Sequence, residues 1–231
     1  MNKCFLTYKR GKYYYFKPFK SREDVISFLS DDIKIINYKE IKYINIIKYF
    51  VYIMLIKIFE RIKGVDFSQY VIYNNDKYNA YEMTDIYSLY KLLNKFKGDY
   101  SGSIIDIGCG KGLPFIVFDN FFENKFGVDF NKNLCDIAKK NLKKLNINVH
   151  INNKDINDYN RQIDNSYIFM FNPFYAETME NFILKIKNHN NIIIYHNPVS
   201  KDILVKNGFI EYKSIRDILG FEIAIFKEVN I

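Results

Sequence analysis

The sequence predicts an α/β protein with a mainly parallel sheet, and three observations carry this prediction. From Ser103 onward, short apolar runs alternate with segments of helical periodicity, as in parallel sheets. With 231 residues and 48% hydrophobic content, the chain is long enough for an extension, 1–80, and a domain, 81–231. A glycine-rich turn follows the first apolar run of the alternating part. In such sheets the ligand lies beyond the carboxyl ends of the strands, where the strand order reverses.

The extension is expected to be mainly helical. "YKRGKYYYFKPF" predicts a short hairpin around Gly11, and "SREDVISFLSDD" predicts a helix that Ser21 caps. A long apolar helix is predicted over 41–63, before Gly64. Asn-Asn-Asp turn signals then mark a connector, and "DIYSLYKLLNKFK" predicts the next helix.

The 41–63 helix allows two interpretations. Its uncharged run, Tyr49–Ile56, lies between Lys48 and Lys57 and is far shorter than the roughly 20 residues that span a bilayer. The helix either packs on the domain behind it, or contacts a membrane surface or a partner protein.

The alternating part contains the remaining elements. Strands are predicted in "SIIDI", "KFGVDF", "INVHI", "NSYIFMF" and "NIIIYH". Helices are predicted in "GLPFIVFDNFF", "NKNLCDIAKKNLKKL", "AETMENFILKIKN" and "PVSKDILVKN". "FIEYKSI" and "EIAIFKEV" then close the domain as a strand pair.

Positive charge is concentrated in the first part of the chain. Residues 1–100 hold 18 basic and 11 acidic residues, a difference of +7, whereas 101–231 hold 16 and 15, a difference of +1. This asymmetry suits an acidic partner such as nucleic acid or an anionic membrane surface. The alternative is solvated charge without a function, since no dense basic block is present.

The cysteines argue against a disulfide framework and against a metal site. Cys4, Cys109 and Cys135 are odd in number and far apart. The N-terminal segment lacks the apolar stretch of a secretory signal. A reducing, cytoplasmic location is therefore expected.

The motif "IIDIGCGKG" carries the strongest functional signal. Asp106 stands at a strand end, and Gly108, Gly110 and Gly112 follow at alternate positions. Glycines allow a tight turn and a close ligand. In a dinucleotide fingerprint the third glycine would fall at Leu113, so this spacing disfavours a nicotinamide cofactor. A simple strand-to-helix turn is the alternative, although it needs fewer glycines.

Two further carboxylates follow the next strands. Asp129 lies 21 residues after Gly108, where an acid accepts hydrogen bonds from a ribose diol; the alternative is an N-cap for the next helix. Asp155 follows the third strand of the alternating part and is placed to meet an adenine amino group, or else is merely solvated.

At these residues the sequence resembles the class I S-adenosylmethionine-dependent methyltransferases, over about 81–231. The resemblance implies a Rossmann-like sheet of seven strands, mostly parallel, with an antiparallel last strand. It also implies S-adenosyl-L-methionine as the cofactor and no metal. The implied cofactor residues are Asp106, Gly108, Gly110, Gly112, Asp129, Asp155 and Thr84.

"FNPFY" resembles the acceptor motif of the amino-group methyltransferases in this family. There, an Asn/Asp-Pro-Pro-Tyr/Phe sequence ends the fourth strand and orients the target amine. Asn172, Pro173 and Tyr175 match, and Phe174 replaces the second proline. The motif falls between those of base methyltransferases and of histone-lysine methyltransferases outside the SET family. The resemblance implies that Asn172 orients the acceptor while Phe174 and Tyr175 wall the site; a packed, proline-terminated strand is the alternative.

Three other residues are weaker candidates. His196 ends the fifth strand and either faces the cleft or caps a turn. Thr84 or Tyr81 is a candidate to reach the methionine carboxylate, and Thr84 is equally a candidate helix cap.

The sequence therefore predicts a methyltransferase that modifies a nitrogen on a macromolecule, either nucleic acid or protein. The first alternative is methylation of a small molecule or of a cell-surface sugar intermediate. The second is a non-catalytic adaptor that keeps the fold and uses the 41–63 helix. An oxidoreductase that uses a nicotinamide cofactor is the third, and the glycine spacing disfavours it.

Overall fold

A computed structural model describes most of the chain. The described residues are 2–10, 13–19, 22–29, 33–69, 81–96, 98, 100–159, 163–174 and 176–229. The chain divides into two compact units, residues 1–54 with 218–220, and residues 55–217 with 221–231.

The first unit combines a small antiparallel sheet with helices. Its three strands are ordered β2-β1-β3, and β1 pairs with both neighbours in antiparallel register. The paired strands of the predicted hairpin and both predicted helices are present, whereas Gly11 and the predicted cap, Ser21, lie outside the described residues. Strand β3 was not predicted, although its isoleucines and tyrosine favour a strand. The predicted helical part is thus present together with a three-stranded sheet, and the boundary after residue 80 stays a prediction. The elements are β1 (Asn2–Arg10), β2 (Tyr13–Phe19), α1 (Arg22–Phe28), β3 (Ile33–Lys42) and α2 (Tyr43–Lys63), which continues into the second unit.

The second unit contains a seven-stranded sheet in the order β6-β5-β4-β7-β8-β10-β9. Strand β10 runs antiparallel to β8 and β9, and the other pairings are parallel. The predicted fold class, a Rossmann-like and mostly parallel sheet, is confirmed. The elements are α3 (Ile86–Phe96), β4 (Ile104–Ile107), α4 (Phe115–Phe118), β5 (Lys125–Asp129), α5 (Lys132–Lys144), β6 (His150–Asn153), a 3-10 turn (Ile156–Asp158), β7 (Tyr167–Phe171), α6 (Ala176–Ile186), β8 (Ile192–His196), α7 (Lys201–Lys206), β9 (Phe209–Arg216) and β10 (Glu222–Glu228).

Helix α4 and strand β6 are among the elements that differ from their predicted bounds. Helix α4 has four residues rather than the predicted 112–122, because Gly112 has a φ of +83°, which a right-handed helix excludes, and Pro114 precedes the first helical residue. Strand β6 begins at His150, three residues later than predicted.

The central strand β4 is buried on both faces. Ile104 packs in the apolar cluster that contains Phe169 on β7, and Ile105 packs in the cluster on the opposite face. This explains its continuous apolar run, since a central parallel strand is covered by helices on both sides. The order of the strands reverses beside β4, so the crevice opens at the carboxyl ends of β4 and β7.

Candidate active site

A cleft occupies the predicted place at the carboxyl ends of β4, β5 and β7. It encloses about 730 Å³, part of it open to solvent, which suits a ligand of nucleoside size. Its walls combine three carboxylates with aromatic and small residues. The lining residues are Tyr81, Glu82, Thr84, Asp106, Ile107, Gly108, Cys109, Leu113, Pro114, Val128, Asp129, Phe130, Lys154, Ile156, Phe169, Phe171, Pro173 and Phe174.

The glycine turn after β4 is held by β5 and pressed against β7. The N–H groups of Gly108 and Cys109 donate to Val128 O, at 2.8 and 3.1 Å. Gly108 has a φ of +75°, and a Cβ on it would lie 3.0 Å from Pro173 Cβ. Only glycine fits this contact well, because a side chain would push the two loops apart.

The other two glycines of the motif serve different contacts. Gly110 has a φ of +52°, and a Cβ on it would lie 2.4 Å from the ring of Tyr81, which lines the cleft. A Cβ on Gly112 would instead meet Leu142 of α5 at 3.3 Å. Gly112 thus lies against α5, away from the cleft wall.

Asp129 is bound from both sides by backbone groups. Its Oδ2 accepts from Gly110 N at 2.9 Å and its Oδ1 from Asn131 N at 2.8 Å. Burial nevertheless raises the pKa of Asp129 to about 6, although the two hydrogen bonds favour the charged form. The cap of α5 is Asn131, which accepts from Asn133 N and Leu134 N. Asp129 is therefore not the helix cap.

Asp106 is a buried carboxylate that can accept a further hydrogen bond. Among the described residues, no hydrogen-bond partner reaches its Oδ2. Burial, and secondarily the charge of Asp129, raise the pKa of Asp106 well above its usual value. A buried polar atom without a partner is costly, so a donor group on a ligand would improve this site.

The structure separates the two remaining cofactor candidates. Thr84 is buried and lines the cleft, and the cap hydrogen bonds to α3 come from Asp85, which accepts from Tyr87 N and Ser88 N. Asp155 instead caps the 3-10 turn after β6, where its Oδ1 accepts from Asn157 N at 2.9 Å. Its sequence neighbours line the cleft.

The acceptor motif stands at the end of β7. Asn172 has a φ of +40°, a left-handed conformation that asparagine tolerates better than most residues, and its Oδ1 accepts from Tyr195 Oη at 3.3 Å. Pro173 and Phe174 line the cleft, and Phe174 is also packed edge-on against Phe182. Tyr175 lies outside the described residues.

His196 lies behind the cleft wall rather than in it. Its ring stacks on Phe171 at a centroid distance of 3.9 Å, and Phe171 lines the cleft. Its Nε2 lies 2.8 Å from Asp217 Oδ2, and both residues are buried. The sequence analysis missed Asp217, which precedes the β9–β10 turn and accepts from Phe221 N at 2.7 Å.

A connector segment packs on the back of the glycine turn, and the sequence analysis missed this as well. The ammonium of Lys111 is fully buried and forms an ion pair with Asp66 at 2.8 Å. The amide of Asn141 donates to both Asp66 O and Lys111 O. Tyr81 Oη donates to Phe67 O at 2.8 Å. No local sequence signal distinguishes Lys111 from a solvated lysine.

Residues 104–189 match the model of a family described as a methyltransferase domain. No curated protein sequence matches significantly.

Two solved structures illustrate the structural similarity. A ribosomal protein L11 methylase from Lactobacillus delbrueckii subsp. bulgaricus is 16% identical, with a TM-score of 0.52 over 64% of this chain and 81% of that chain. A magnesium protoporphyrin IX methyltransferase from Synechocystis PCC 6803, with bound SAM, is 12% identical, with a TM-score of 0.51 over 62% and 78%. At these identities the similarity concerns the fold.

The sheet, the glycine turn and the two strand-end carboxylates define an α/β domain that binds a nucleoside-type cofactor. Residues 104–189 of this domain match a methyltransferase domain, and the predicted class, S-adenosylmethionine-dependent methyltransferase, is confirmed. The cofactor of that class is S-adenosyl-L-methionine, and the cleft with Asp106 and Asp129 suits it.

Proposed function

We propose that the chain methylates an amino nitrogen on a macromolecule. The observation that carries this proposal is the position of Asn172-Pro173-Phe174 at the end of β7, pressed against the glycine turn through Gly108. An amide and an aromatic wall thereby stand next to the proposed cofactor loop. Such proximity supplies much of the rate of a transfer between two bound groups.

On this proposal, the carboxylates hold the cofactor. Each oxygen of Asp129 accepts one backbone N–H, from Gly110 or from Asn131, and has a further lone pair. With these lone pairs Asp129 would accept hydrogen bonds from the ribose hydroxyl groups. The buried Oδ2 of Asp106 would accept a hydrogen bond from the cofactor's amino group, directly or through water. When bound, S-adenosylmethionine supplies an activated methyl group on a sulfonium centre.

The residues after β7 would position the acceptor. Asn172 Oδ1 would accept an N–H of the target amine and so direct its lone pair into the cleft. The Tyr195 hydroxyl donates to the same oxygen and fixes the amide orientation. Phe174 would exclude water and favour the positive charge that develops near the transferred methyl group. No strong base is required.

The proposal that the acceptor is a macromolecule rests on the charge of the N-terminal part of the chain. The +7 excess of residues 1–100 favours an acidic partner. The similar solved structures do not decide the matter, since one is a methylase of a ribosomal protein and the other a methyltransferase of a porphyrin. A small molecule or a sugar intermediate is therefore the alternative acceptor. The adaptor alternative does not account for the buried carboxylate of Asp106.

The first experiment is calorimetric titration of S-adenosylhomocysteine into the wild type, Asp129→Ala and Asp136→Ala. Asp136 is an exposed acid on α5, away from the cleft lining, and serves as the matched control. We expect micromolar binding that only Asp129→Ala abolishes. A folded wild type that does not bind would contradict the cofactor assignment.

The second experiment identifies the acceptor. RNA, DNA, protein and small amines are incubated with the labelled methyl donor, and the modified atom is identified by mass spectrometry. Label on a nitrogen of nucleic acid or protein supports the proposal. Label confined to small amines or sugars, or on oxygen or carbon, would overturn it.

A further inference from the structure

Helix α2 presents an unusually apolar outward face. Eight large apolar side chains on this 21-residue helix are exposed to solvent. Isolated exposed hydrophobic residues are ordinary, but a contiguous group of this size marks an interaction surface. The apolar face of α2 consists of Ile44, Ile47, Phe50, Val51, Met54, Leu55, Ile58 and Ile62.

The spacing of these residues places them on one side of the helix. They recur at intervals of three and four residues, and the α-helix repeats every 3.6 residues. Among the described side chains of α2, Tyr52 and Ile56 are buried, and they fall on the opposite side. The side with the eight exposed residues therefore faces outward.

Within α2, the exposed charged residues beside the apolar face are all positive. Lys48, Lys57, Arg61 and Lys63 are exposed along its length and at its end. Glu60 is the single acidic residue in the sequence of the helix, and its carboxylate is occupied: it accepts from the N–H groups of Phe67 and Ser68 and from Ser68 Oγ. The outward surface is thus apolar and cationic without a compensating acid.

We propose that the apolar face of α2 docks on the surface of an anionic lipid bilayer. An apolar stripe bordered by lysine and arginine is the pattern of helices that lie in the membrane interface. The aliphatic side chains would enter the acyl boundary while the cations contact lipid phosphates and carboxylates. None of the described helices is long and apolar enough to cross a membrane, and docking in the plane requires no crossing.

Charge and apolar character together favour an anionic bilayer over a second copy of the chain and over nucleic acid. A second copy docked face to face would bring cations against cations, because the helix carries no free acid to pair with them. Nucleic acid would satisfy the cations but leave the eight apolar side chains in water. An anionic bilayer matches both properties.

The test is flotation of the full chain with vesicles of phosphatidylcholine and phosphatidylserine, beside vesicles of phosphatidylcholine alone. The variants are Phe50→Gln and Ile62→Gln, at side chains that are 68% and 72% exposed. The matched control is Val205→Gln on α7, at a side chain 59% exposed. We expect each α2 variant to lower the vesicle partition coefficient about tenfold, as removal of one inserted apolar side chain predicts, and the control to leave it unchanged.

A variant that removes one positive charge distinguishes binding to anionic lipid from non-specific hydrophobic adsorption. Lys57→Gln is expected to lower partition into the anionic vesicles about fivefold. Equal binding to both vesicle types, or no flotation of the wild type, would overturn the proposal. Sedimentation equilibrium is run on the same samples: a dimer that Phe50→Gln dissociates, without vesicle binding, would identify a second copy as the occupant instead.

Discussion

The two halves of the cleft are built by different means. At the ends of β4 and β5, backbone groups hold the functional side chains: Asp129 is fixed by two N–H groups, and Gly110 leaves room for Tyr81. At the ends of β7 and β8, side chains hold one another, as Tyr195 holds Asn172 and His196 holds Phe171. We call these the cofactor half and the acceptor half.

This difference explains what each half can tolerate. A site fixed by main-chain groups depends on local backbone conformations, so its residues form a compact motif. A site fixed by packed side chains depends on partners from distant strands. The comparison predicts that changes in the cofactor half alter cofactor affinity, whereas changes in the acceptor half alter turnover and stability.

The largest effect is expected from His196→Ala. This change removes a buried ring from Phe171 and leaves the Asp217 carboxylate buried without Nε2. We expect the free energy of unfolding to fall by about 4 kcal/mol, as for other broken buried pairs. Urea denaturation measures it. The matched control is His189→Ala, whose half-exposed pair with Asp164 should contribute less than about 1 kcal/mol. Equal losses would show that burial of the pair does not matter.

Asn172→Ala should show most clearly that the acceptor half affects turnover and not cofactor affinity. Loss of the orienting amide is expected to lower kcat/KM about hundredfold, while the affinity for S-adenosylhomocysteine stays within about twofold. Initial rates with labelled methyl donor and calorimetry provide the two readouts. Asn197→Ala is the control, because Asn197 also has a positive φ, +53°, but follows β8 rather than β7. A large loss of cofactor affinity in Asn172→Ala would erase the distinction between the halves.

Asp129→Asn should flatten the pH dependence of the stability of the free protein. Because the pKa of Asp129 is about 6 in the fold and ordinarily 3.8, the folded chain binds this proton more tightly than the unfolded chain. The contribution of Asp129 to the free energy of unfolding therefore declines as the pH rises from about 3.8 to about 6. Asparagine does not titrate, so the variant is expected to lose this decline of about 2 kcal/mol. Because an amide NH₂ group cannot accept a hydrogen bond, the variant also loses one of the two bonds from Gly110 N and Asn131 N, and the pH dependence is therefore the diagnostic quantity.

The measurement is urea denaturation of the free protein across that pH range. Asp136→Asn is the control with the opposite sign, because Lys132 lowers the pKa of Asp136 and the charged form is the favoured one. An unchanged pH dependence in Asp129→Asn would mean that the carboxylate is not desolvated in the fold.

Tyr195→Phe is expected to have the smallest effect. The hydroxyl lies 3.3 Å from Asn172 Oδ1, a long hydrogen bond, so its removal should lower kcat about threefold without changing cofactor affinity. Single-turnover rates resolve a change of this size. No change in rate would show that Asn172 keeps its orientation without Tyr195.

The sequence predicted the sheet and the cofactor half well, for a physical reason. Alternating apolar runs and amphipathic helices are local patterns, and "IIDIGCGKG" places its carboxylate and glycines through local backbone geometry. Asp106, Asp129 and Thr84 accordingly line the cleft. Asp155 and Gly112 lie at the right turns but make other contacts there. Their proposed roles toward the cofactor stay predictions.

The contacts of the acceptor half and of the connector were harder to predict from the sequence, because they join distant parts of the chain. Lys111 meets Asp66 across 45 residues, and His196 meets Asp217 across 21. In the described residues, each non-glycine residue with a positive φ is an asparagine, namely Asn146, Asn165, Asn172, Asn188, Asn190 and Asn197.

Two cysteines of the second unit provide a chemical reporter of the cofactor half. Cys109 stands inside the glycine turn and Cys135 on α5, and both side chains are buried as free thiols. Burial raises the pKa of Cys109 well above its usual value and that of Cys135 to about 11, so neither forms the reactive thiolate at neutral pH. Alkylating reagents should therefore label these two thiols only when this half opens. The labelling rate would report its opening equilibrium without an added probe, and any ligand that holds the glycine turn closed should slow it.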